Sequence, residues 1–336
     1  MSVLPLPPAI RRLGVSVLST SPIAWGMWRL ADEARSVAEA ARLVHAALDA
    51  GITLLDTADI YGFDGTAGFG DAEALLGQVL HAEPGLRDRF VLATKGGIRP
   101  PVPYDQSPAY LDAAIDASLR RLGVDCIDLW QIHRPDILAH PQEVARTLDA
   151  AFAAGKIRAL GVSNFTMAQT AALNHFLDID LATTQPEISP LRIDCLENGE
   201  MDQAMMLGLT PLAWSPLGGG RLADPQRPRD IAVAAALDAF AAPLGISRTV
   251  AAYSWLMAHP AGIIPIVGSQ NPARIAEAAS ALTVQWTRTH WYAVLVAARG
   301  VALPCPPRFP RRNAKWHGFR RCATTIMNFW GSATRR

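Results

Sequence analysis

The sequence predicts an α/β protein whose eight βα units close into a single (β/α)8 TIM barrel. Short apolar segments alternate with longer segments that carry apolar residues at helical spacing, over roughly 280 of the 336 residues. Apolar strands joined by helices indicate a parallel sheet that is buried on both faces. Eight such units in one chain fit a barrel better than two doubly wound domains.

The first helix and the strand after it show how each unit is recognised. Apolar residues recur at helical spacing from Val37 to Leu48, after a candidate N-cap at Asp32, and Gly51 ends this helix. An apolar run then leads to Asp56 and predicts a buried strand. The same reasoning predicts eight strands, at residues 22–26, 52–56, 90–94, 126–132, 157–162, 181–185, 209–214 and 263–267.

The two ends of the chain are expected to differ from the barrel, which is placed at residues 12–300. The segment LGVSVLST, near the N-terminus, is expected to form a hairpin over the barrel floor. Residues 301–336 are expected to be a disordered basic tail, because 302–336 holds eight Lys and Arg, no acid and no periodicity. Alternatives for this tail are binding to nucleic acid or an anionic surface, and a read-through or frameshifted end.

Composition indicates a soluble cytoplasmic protein. Half of the residues are hydrophobic, enough for a large core, yet no run of about eighteen apolar residues suggests a membrane span. The N-terminus lacks the continuous apolar region of a signal peptide. Cys126, Cys195, Cys305 and Cys322 are scattered, so neither a disulfide framework nor a zinc site is indicated. The expected partner is a small molecule, with no nucleic acid and no membrane, and the oligomeric state is not predicted.

Polar or aromatic side chains follow seven successive predicted strands, at the barrel face where such enzymes keep their chemistry. Asp56 ends the second strand, Tyr61 lies in the loop after it, Lys95 ends the third and His133 ends the fourth. The later strands are followed by Ser163, Asn164, Gln185, Trp214, Ser215, Gly268 and Ser269. These side chains are expected to meet at one rim.

The motifs at this rim resemble, in order, those of the aldo-keto reductase family, over about residues 12–300. LLDTADIYG, TKGG and QIHRPD carry the four residues that match the family's catalytic tetrad, Asp56, Tyr61, Lys95 and His133. GVSNF, QPEIS, WSPLGGG and IVGSQNPARIAE match the segments that hold a nicotinamide cofactor. The sequence after them is similar to a bacterial subgroup of oxidoreductases.

The chemistry of carbonyl reduction suits these four residues. Reduction requires a hydride on carbon and a proton on oxygen, so an acid must stand near the carbonyl oxygen. Tyr61 is the candidate acid, and Lys95 is expected to bring the pKa of the phenol, ordinarily about 10, toward neutrality. Asp56 is expected to keep Lys95 charged, and His133 to contact the carbonyl oxygen.

The resemblance also implies the cofactor site, and the expected cofactor is NADPH. Trp214 would stack on the nicotinamide, while Ser163, Asn164 and Gln185 would bind its carboxamide. The chain has no GxGxxG turn at a βα unit, so the glycines of SPLGGGRL and the helix after the eighth strand are expected to hold phosphates. The predicted cofactor residues are Ser163, Asn164, Gln185, Trp214, Ser215, Leu217, Gly218, Gly219, Gly268, Ser269, Arg274 and Glu277.

Arg274 and Ser269 resemble the positions that contact the adenosine 2′-phosphate, which favours NADPH over NADH. Two positions depart from the family pattern: Gly268 stands where many relatives have lysine, and Ala278 where many have asparagine. These departures remove one charge and one hydrogen bond. A surface helix charge is the alternative interpretation of Arg274.

The predicted function is NADPH-dependent reduction of an aldehyde or ketone of a small molecule to an alcohol. The alternative is an NADPH-binding regulatory or sensor protein with weak turnover; an isomerase or lyase would leave the cofactor-like segments unexplained. Taken singly, Asp56, Tyr61 and Lys95 have ordinary explanations as a turn cap, a packing residue and a solvated charge. A metal site at His133 and Asp136 lacks a third ligand at suitable spacing. Asp59 is expected to be a loop residue without chemistry.

Overall fold

The computed structural model describes residues 2–32 and 35–303 and contains the eight predicted parallel strands in a closed barrel. A two-stranded hairpin, β1 (Arg11–Arg12) and β2 (Ser19–Thr20), precedes the barrel. The barrel strands are β3 (Ala24–Gly26), β4 (Leu54–Asp56), β5 (Val91–Gly96), β6 (Ile127–Ile132), β7 (Ile157–Ser163), β8 (Leu181–Gln185), β9 (Thr210–Ala213) and β10 (Ile264–Val267).

Each barrel strand pairs in parallel with the next along the chain, and β10 pairs with β3 to close the ring. The register places Asp56 beside Ala93, and Lys95 beside Gln131 on the next strand. The carboxyl ends of the strands therefore share one rim, and polar side chains from different strands meet there. All eight predicted strands are confirmed, with bounds shifted by at most two residues.

Helices surround the barrel and connect its strands. They are α1 (Val37–Asp49), α2 (Asp71–Ala82), α3 (Pro108–Leu122), α4 (Pro141–Ala153), α5 (Met167–Phe176), α6 (Asp194–Glu197), α7 (Glu200–Leu207), α8 (Pro228–Ala241), α9 (Arg248–Met257), α10 (Pro272–Ala279) and α11 (Arg288–Arg299). The predicted cap of α1 at Asp32 is wrong. Ser36 caps the helix instead, in a reciprocal capping box with Glu39. Gly51 follows the end of α1 with φ of 77°, as expected for a residue that terminates a helix.

The N-terminal hairpin packs on the barrel floor, as predicted. Leu13 and Leu18 join the buried apolar cluster formed by residues of the barrel strands. Gly14 donates its N–H to Thr210 Oγ1 at 2.8 Å, and a Cβ at this glycine would lie 2.8 Å from the Cα of Ala182. The chain thus crosses the floor in close contact with β8 and β9, which closes the end opposite the polar rim.

The last described element, α11, packs against α8, and the structure describes the chain as far as Leu303. The predicted tail, residues 301–336, therefore lies almost wholly outside the described residues. Within the described part of the chain, no single helix is long and apolar enough to cross a membrane. One pair, Pro228–Leu244 and Arg248–Met257, bent by 100°, passes that test by length and composition.

Candidate active site

The four predicted tetrad residues come from three neighbouring barrel units. Asp56 is the last residue of β4, and Tyr61 lies five residues later in the loop that leads to α2. Lys95 lies in β5, and His133 directly follows β6. The loop of Tyr61 is tied to α2 because Ala72 donates its N–H to the Tyr61 carbonyl at 3.2 Å. These side chains are therefore positioned by regular elements.

The ammonium of Lys95 is the centre of the site. Lys95 is fully buried, and its Nζ donates to Asp56 Oδ2 at 2.6 Å, to the Thr57 carbonyl at 2.7 Å and to Tyr61 OH at 3.1 Å. Three donor protons thus meet three acceptors. Although burial opposes the charge, the neighbouring Asp56 and Tyr61 raise the pKa of Lys95 above its ordinary value. Lys95 is therefore charged at neutral pH.

Tyr61 departs from one expectation drawn from the sequence. Burial raises the pKa of its phenol, and the attraction of Lys95 does not overcome this effect. The phenol is therefore protonated at neutral pH and remains a proton donor. The expectation that Lys95 moves this pKa toward neutrality fails because desolvation of the phenolate outweighs the nearby cation.

His133 lies edge-on to Tyr61, with ring centroids 5.8 Å apart. Its backbone is held on both sides: its N–H donates to the Gly96 carbonyl at 2.8 Å, and its carbonyl accepts from Asn164 Nδ2 at 3.2 Å. Burial, then the charges of Lys95 and Arg134, lower the pKa of His133 well below its ordinary value. The imidazole is therefore neutral at neutral pH. Its buried Nδ1 has no hydrogen-bond partner among the described residues.

Two glutamines hold the other oxygen of Asp56. Gln185 Nε2 donates to Asp56 Oδ1 at 3.0 Å, and Gln131 Nε2 donates to the same oxygen at 3.3 Å. Gln185 was predicted as a cofactor residue; the structure places its amide nitrogen on Asp56, beside the tetrad. Gln131 was missed. A glutamine among the apolar residues Leu129, Trp130 and Ile132 of β6 was the available signal, since buried polar residues require a partner.

Asp59 lies in the loop after β4, as expected, but its side chain is buried. It is 1 % exposed, and its Oδ1 has no hydrogen-bond partner in the described part of the chain. Burial, and then the charge of Glu73, raise the pKa of Asp59 well above its ordinary value. Glu73 is itself fully buried and paired with Arg121 at 2.6 Å. The tetrad is therefore bordered by a second group of buried acids.

The predicted nicotinamide residues form a chain of hydrogen bonds beside His133. Trp214 Nε1 donates to Asn164 Oδ1 at 3.0 Å, and Asn164 Nδ2 donates to Ser163 Oγ at 2.8 Å. Ser163 Oγ donates in turn to the Gln185 carbonyl at 2.9 Å. Asn164 has φ of 60°, a left-handed conformation that is uncommon outside glycine and often occurs at functional sites. The outer end of the barrel here is therefore lined by polar side chains that are hydrogen-bonded to one another.

The loop after β9 has the backbone expected of a phosphate-binding segment. Ser215 adopts φ of 49°, and Gly218, Gly219 and Gly220 adopt φ of 64°, 66° and 90°. A Cβ on Gly219 or Gly220 would meet no described atom within 4 Å, so their backbone borders open space. Among the described residues, the N–H groups of these two glycines have no hydrogen-bond acceptor. Leu217 lies half-buried within the same turn. The loop therefore fits an anionic cofactor group.

The segment after β10 contains the remaining predicted cofactor residues. Gly268 is exposed, Ser269 is half-buried, and Arg274 and Glu277 lie on the exposed face of α10. Trp25 Nε1 donates to the Ser269 carbonyl at 2.9 Å and ties this segment to β3. In residues 2–32 and 35–303, the Arg274 side chain forms no ion pair. Its guanidinium is therefore available to a ligand.

The expected anion site at the N-terminus of α10 needs correction. Asn271 caps this helix, and its Oδ1 accepts from the N–H groups of Ala273 and Arg274 at 2.9 and 3.3 Å. These two amides are already bonded, so they do not offer an open anion site. No group of three or more His, Cys, Asp or Glu residues in the described chain is placed to hold a metal ion.

Comparisons with known proteins agree on one family. The aldo/keto reductase family model matches residues 22–294. A 6-dehydroglucose reductase of Novosphingobium aromaticivorans is 76 % identical over 304 residues, which cover 90 % of this chain and 100 % of the relative. A 6-dehydroglucose reductase of Agrobacterium fabrum is 39 % identical over 84 % of this chain and 96 % of the relative. The oxidoreductase YdhF of Escherichia coli is 37 % identical over 83 % of this chain and 94 % of the relative.

A solved structure shows the same fold. The crystal structure of the thermostable aldo-keto reductase Tm1743, in complex with the inhibitor epalrestat, superimposes with a TM-score of 0.74 over 86 % of this chain and 99 % of that chain. The two sequences are 21 % identical, so this likeness concerns the fold alone. With the family match across the barrel and the close relatives, it follows that this chain belongs to the aldo/keto reductase family and is an oxidoreductase of the NADP type.

Proposed function

We propose that this protein is an NADPH-dependent carbonyl reductase that converts the C6 aldehyde of a hexose, 6-dehydroglucose, to the primary alcohol of glucose. The observation that carries the proposal is the contact of Lys95 Nζ with both Asp56 and Tyr61 OH. A protonated phenol beside a buried ammonium is a suitable acid for a carbonyl oxygen that becomes an alkoxide.

Tyr61 is the proposed proton donor. Its phenol gives its proton to the carbonyl oxygen while NADPH, when bound, supplies the hydride to the carbonyl carbon. The phenolate that forms is stabilised by the Lys95 ammonium at 3.1 Å. Asp56 compensates the lysine charge and fixes its direction, since a buried ammonium without a partner is costly. The proton donor is therefore prepared before substrate arrives.

His133 is proposed to bind the carbonyl oxygen. Its pKa is lowered well below the ordinary value by burial and by Lys95, so the ring is neutral and donates one N–H without adding charge. The backbone contacts with Gly96 and Asn164 hold the ring near Tyr61. A carbonyl oxygen between the phenol and the imidazole would accept from both, which polarises the C=O bond.

The proposed NADPH site extends from Trp214 to Arg274. Trp214 is half-buried at the rim and is held by Asn164, which suits a surface on which the nicotinamide stacks. Ser163, Asn164 and Gln185 lie beside it, where the carboxamide would bind. The glycines after Ser215 are proposed to hold the pyrophosphate, and Arg274 the 2′-phosphate.

The substrate assignment follows the relatives. Two of them, at 76 % and 39 % identity, carry the name 6-dehydroglucose reductase. The rim of this chain also offers Trp28, 62 % exposed, with the Arg29 guanidinium 5.7 Å from its ring centroid. An aromatic surface with a cation beside it suits a polar ligand that has both apolar faces and hydroxyl groups.

The test is the oxidation of NADPH by the purified protein with 6-dehydroglucose, with glucose measured as the product. We expect turnover with this aldehyde, and a lower kcat/KM with a simple aromatic aldehyde such as 4-nitrobenzaldehyde. If only 4-nitrobenzaldehyde is turned over, the proposal of a carbonyl reductase stands and the hexose assignment is overturned. Tight NADPH binding without turnover of any aldehyde would overturn the reductase and favour a sensor.

A further inference from the structure

Gln131 links Asp56 to the opposite side of the barrel. It lies in β6, is fully buried, and donates from Nε2 to Asp56 Oδ1 at 3.3 Å. Its Oε1 accepts from Thr183 Oγ1 of β8 at 3.2 Å. The hydroxyl of Thr183 therefore fixes the amide with its nitrogen toward Asp56. A chain of hydrogen bonds runs from Thr183 through Gln131 and Asp56 to Lys95.

We propose that Gln131 is a positioning residue for the proton donor. Together with Gln185, which donates to the same oxygen at 3.0 Å, it directs one oxygen of Asp56 away from Lys95. The other oxygen then meets Nζ at 2.6 Å, and the ammonium in turn faces Tyr61. Gln131 acts through Asp56 and does not contact the reacting atoms. The inference rests on the proposed function of Tyr61 and Lys95.

The neighbouring strand leaves room for this contact. Gly161 of β7 stands between Gln131 and Thr183, and a Cβ there would overlap Thr183 Oγ1 and lie 2.9 Å from Gln131 Cγ. The glycine has no positive φ, so backbone conformation does not require it. The space it leaves is filled by the hydrogen-bonded pair. The hydrogen bond between Thr183 and Gln131 therefore explains why position 161 is glycine.

The burial of Gln131 also argues for a role of its amide. The residues around it in β6, Leu129, Trp130 and Ile132, are fully buried and apolar. A buried amide is costly unless both its donor and its acceptor sides are bonded. A leucine would fill the same layer without that requirement. The amide is satisfied only because Asp56 and Thr183 lie on its two sides, which couples it to the tetrad.

The first test removes the amide or its anchor. Gln131→Met keeps the length of the side chain and loses the donor, so we expect kcat for aldehyde reduction to fall roughly 10- to 100-fold, the range for a hydrogen bond to a charged group. The Kd for NADPH is expected to stay within about twofold, since no phosphate contact changes. Thr183→Val keeps Gln131 but frees its amide to rotate, and kcat should fall roughly 2- to 12-fold.

A matched control is available on β5. Thr94 is also fully buried and donates to a carboxylate, Glu73 Oε1, at 2.5 Å. Thr94→Val therefore also removes one buried hydroxyl hydrogen bond, here to a carboxylate that is not Asp56, whereas Thr183 donates to the amide oxygen of Gln131. We expect a loss of thermal stability at least as large as that of Thr183→Val with kcat unchanged. This comparison separates a general cost of losing a buried hydroxyl from an effect on the proton donor.

The second test is a pH profile that a purely structural residue would not produce. In Gln131→Glu, the protonated carboxyl can donate to Asp56 as Nε2 does, whereas the ionised form places two like charges side by side. The ratio of variant to wild-type kcat should therefore fall as pH rises. The same ratio for Gln131→Met should stay constant. Melting temperatures across the same pH range show that both variants remain folded during the assay.

The outcomes separate the two proposals. If wild-type protein does not reduce an aldehyde, the proposed function fails first. If wild-type protein is active and Gln131→Met retains at least half of its kcat, the positioning role is overturned. An equal loss of kcat in Thr94→Val and Thr183→Val, or a ratio for Gln131→Glu that does not change with pH, would also overturn it.

Discussion

The ammonium of Lys95 lies 3.1 Å from the phenol oxygen of Tyr61 and 4.8 Å from the centroid of its ring. The cation thus contacts both the acidic oxygen and the ring that bears it. Burial of Tyr61, with the charges of Asp56 and Asp59, raises the pKa of the phenol, which opposes release of its proton. The adjacent charge offsets part of that penalty once the phenolate forms, and its effect is therefore largest in the transition state.

Replacement of Tyr61 tests this relationship. We expect Tyr61→Phe to lower kcat roughly 10²- to 10⁴-fold, because the variant keeps the ring and loses the proton donor. The Kd for NADPH, measured by fluorescence titration, should remain close to that of the wild type. Wild-type turnover in this variant would assign the proton to another group.

The fold was largely predictable because barrel strands that are buried on both faces are continuous apolar runs. Asp56 was correctly placed at the end of such a run. The strand at 181–185 was also predicted with its observed bounds, although only its first two residues are apolar. The N-cap of α1 was predicted wrongly, because both Asp32 and Ser36 are suitable cap residues. Only Ser36 has glutamate three residues later, and that capping-box spacing was the signal overlooked.

The site was predictable where a residue ends a strand and less so where its surroundings decide its role. Lys95 and Tyr61 were identified from motifs, but the burial that sets the pKa of the phenol depends on packing from several elements. Asp59 illustrates the same limit, since an aspartate at a loop position is typical of a turn residue. Its N–H donates to the Lys95 carbonyl of β5 at 3.0 Å, and its pKa depends on burial and on the charges of Glu73 and Arg121, which are distant in sequence.

Asp59 provides a prediction about stability and pH. Its pKa is raised well above the ordinary value, so the unfolded chain ionises at a lower pH than the folded protein. The unfolding free energy of the wild type therefore falls relative to that of Asp59→Asn as pH rises from about 4. The fall is up to about 1.4 kcal/mol per pH unit and ends where the folded carboxyl ionises. We expect Asp59→Asn to be the more stable protein at pH 7, measured by urea unfolding. A wild type that is more stable at pH 7 would show that the carboxyl is ionised and paired.

His133 provides a prediction in which stability is lost as pH falls, the opposite of the pH dependence expected for Asp59. Burial and then the charge of Lys95 hold its pKa well below the ordinary value, so the unfolded chain binds a proton more readily than the folded protein. This contribution to stability is complete above about pH 6.5 and is lost as pH falls below that value, by up to about 1.4 kcal/mol per pH unit.

His133→Gln removes the titrating group and keeps a neutral polar side chain. The difference in unfolding free energy between wild type and variant should therefore shrink from pH 7 to pH 5. A difference that is constant over this range would mean that the folded imidazole binds its proton as readily as the unfolded one.

Arg274 provides the test of cofactor choice. Its side chain is exposed at the start of α10 and forms no ion pair within the described part of the chain, so a phosphate would meet an uncommitted guanidinium. A hydrogen-bonded charge pair of this kind contributes about 1.5 to 3 kcal/mol. We therefore expect Arg274→Ala to weaken NADPH binding roughly 10- to 100-fold. Binding of NADH, which lacks the 2′-phosphate, should change little.

The matched control is Arg146→Ala, which removes an exposed arginine from α4, a different helix. It should leave the binding of both cofactors unchanged, so that a loss in Arg274→Ala cannot come from a change in net charge. Because glycine stands at position 268, no lysine at that position supports Arg274, and the effect of removing the arginine should be large. Equal weakening of NADPH and NADH would place Arg274 on the part of the cofactor that both share. Unchanged binding of both would make it a surface charge of α10.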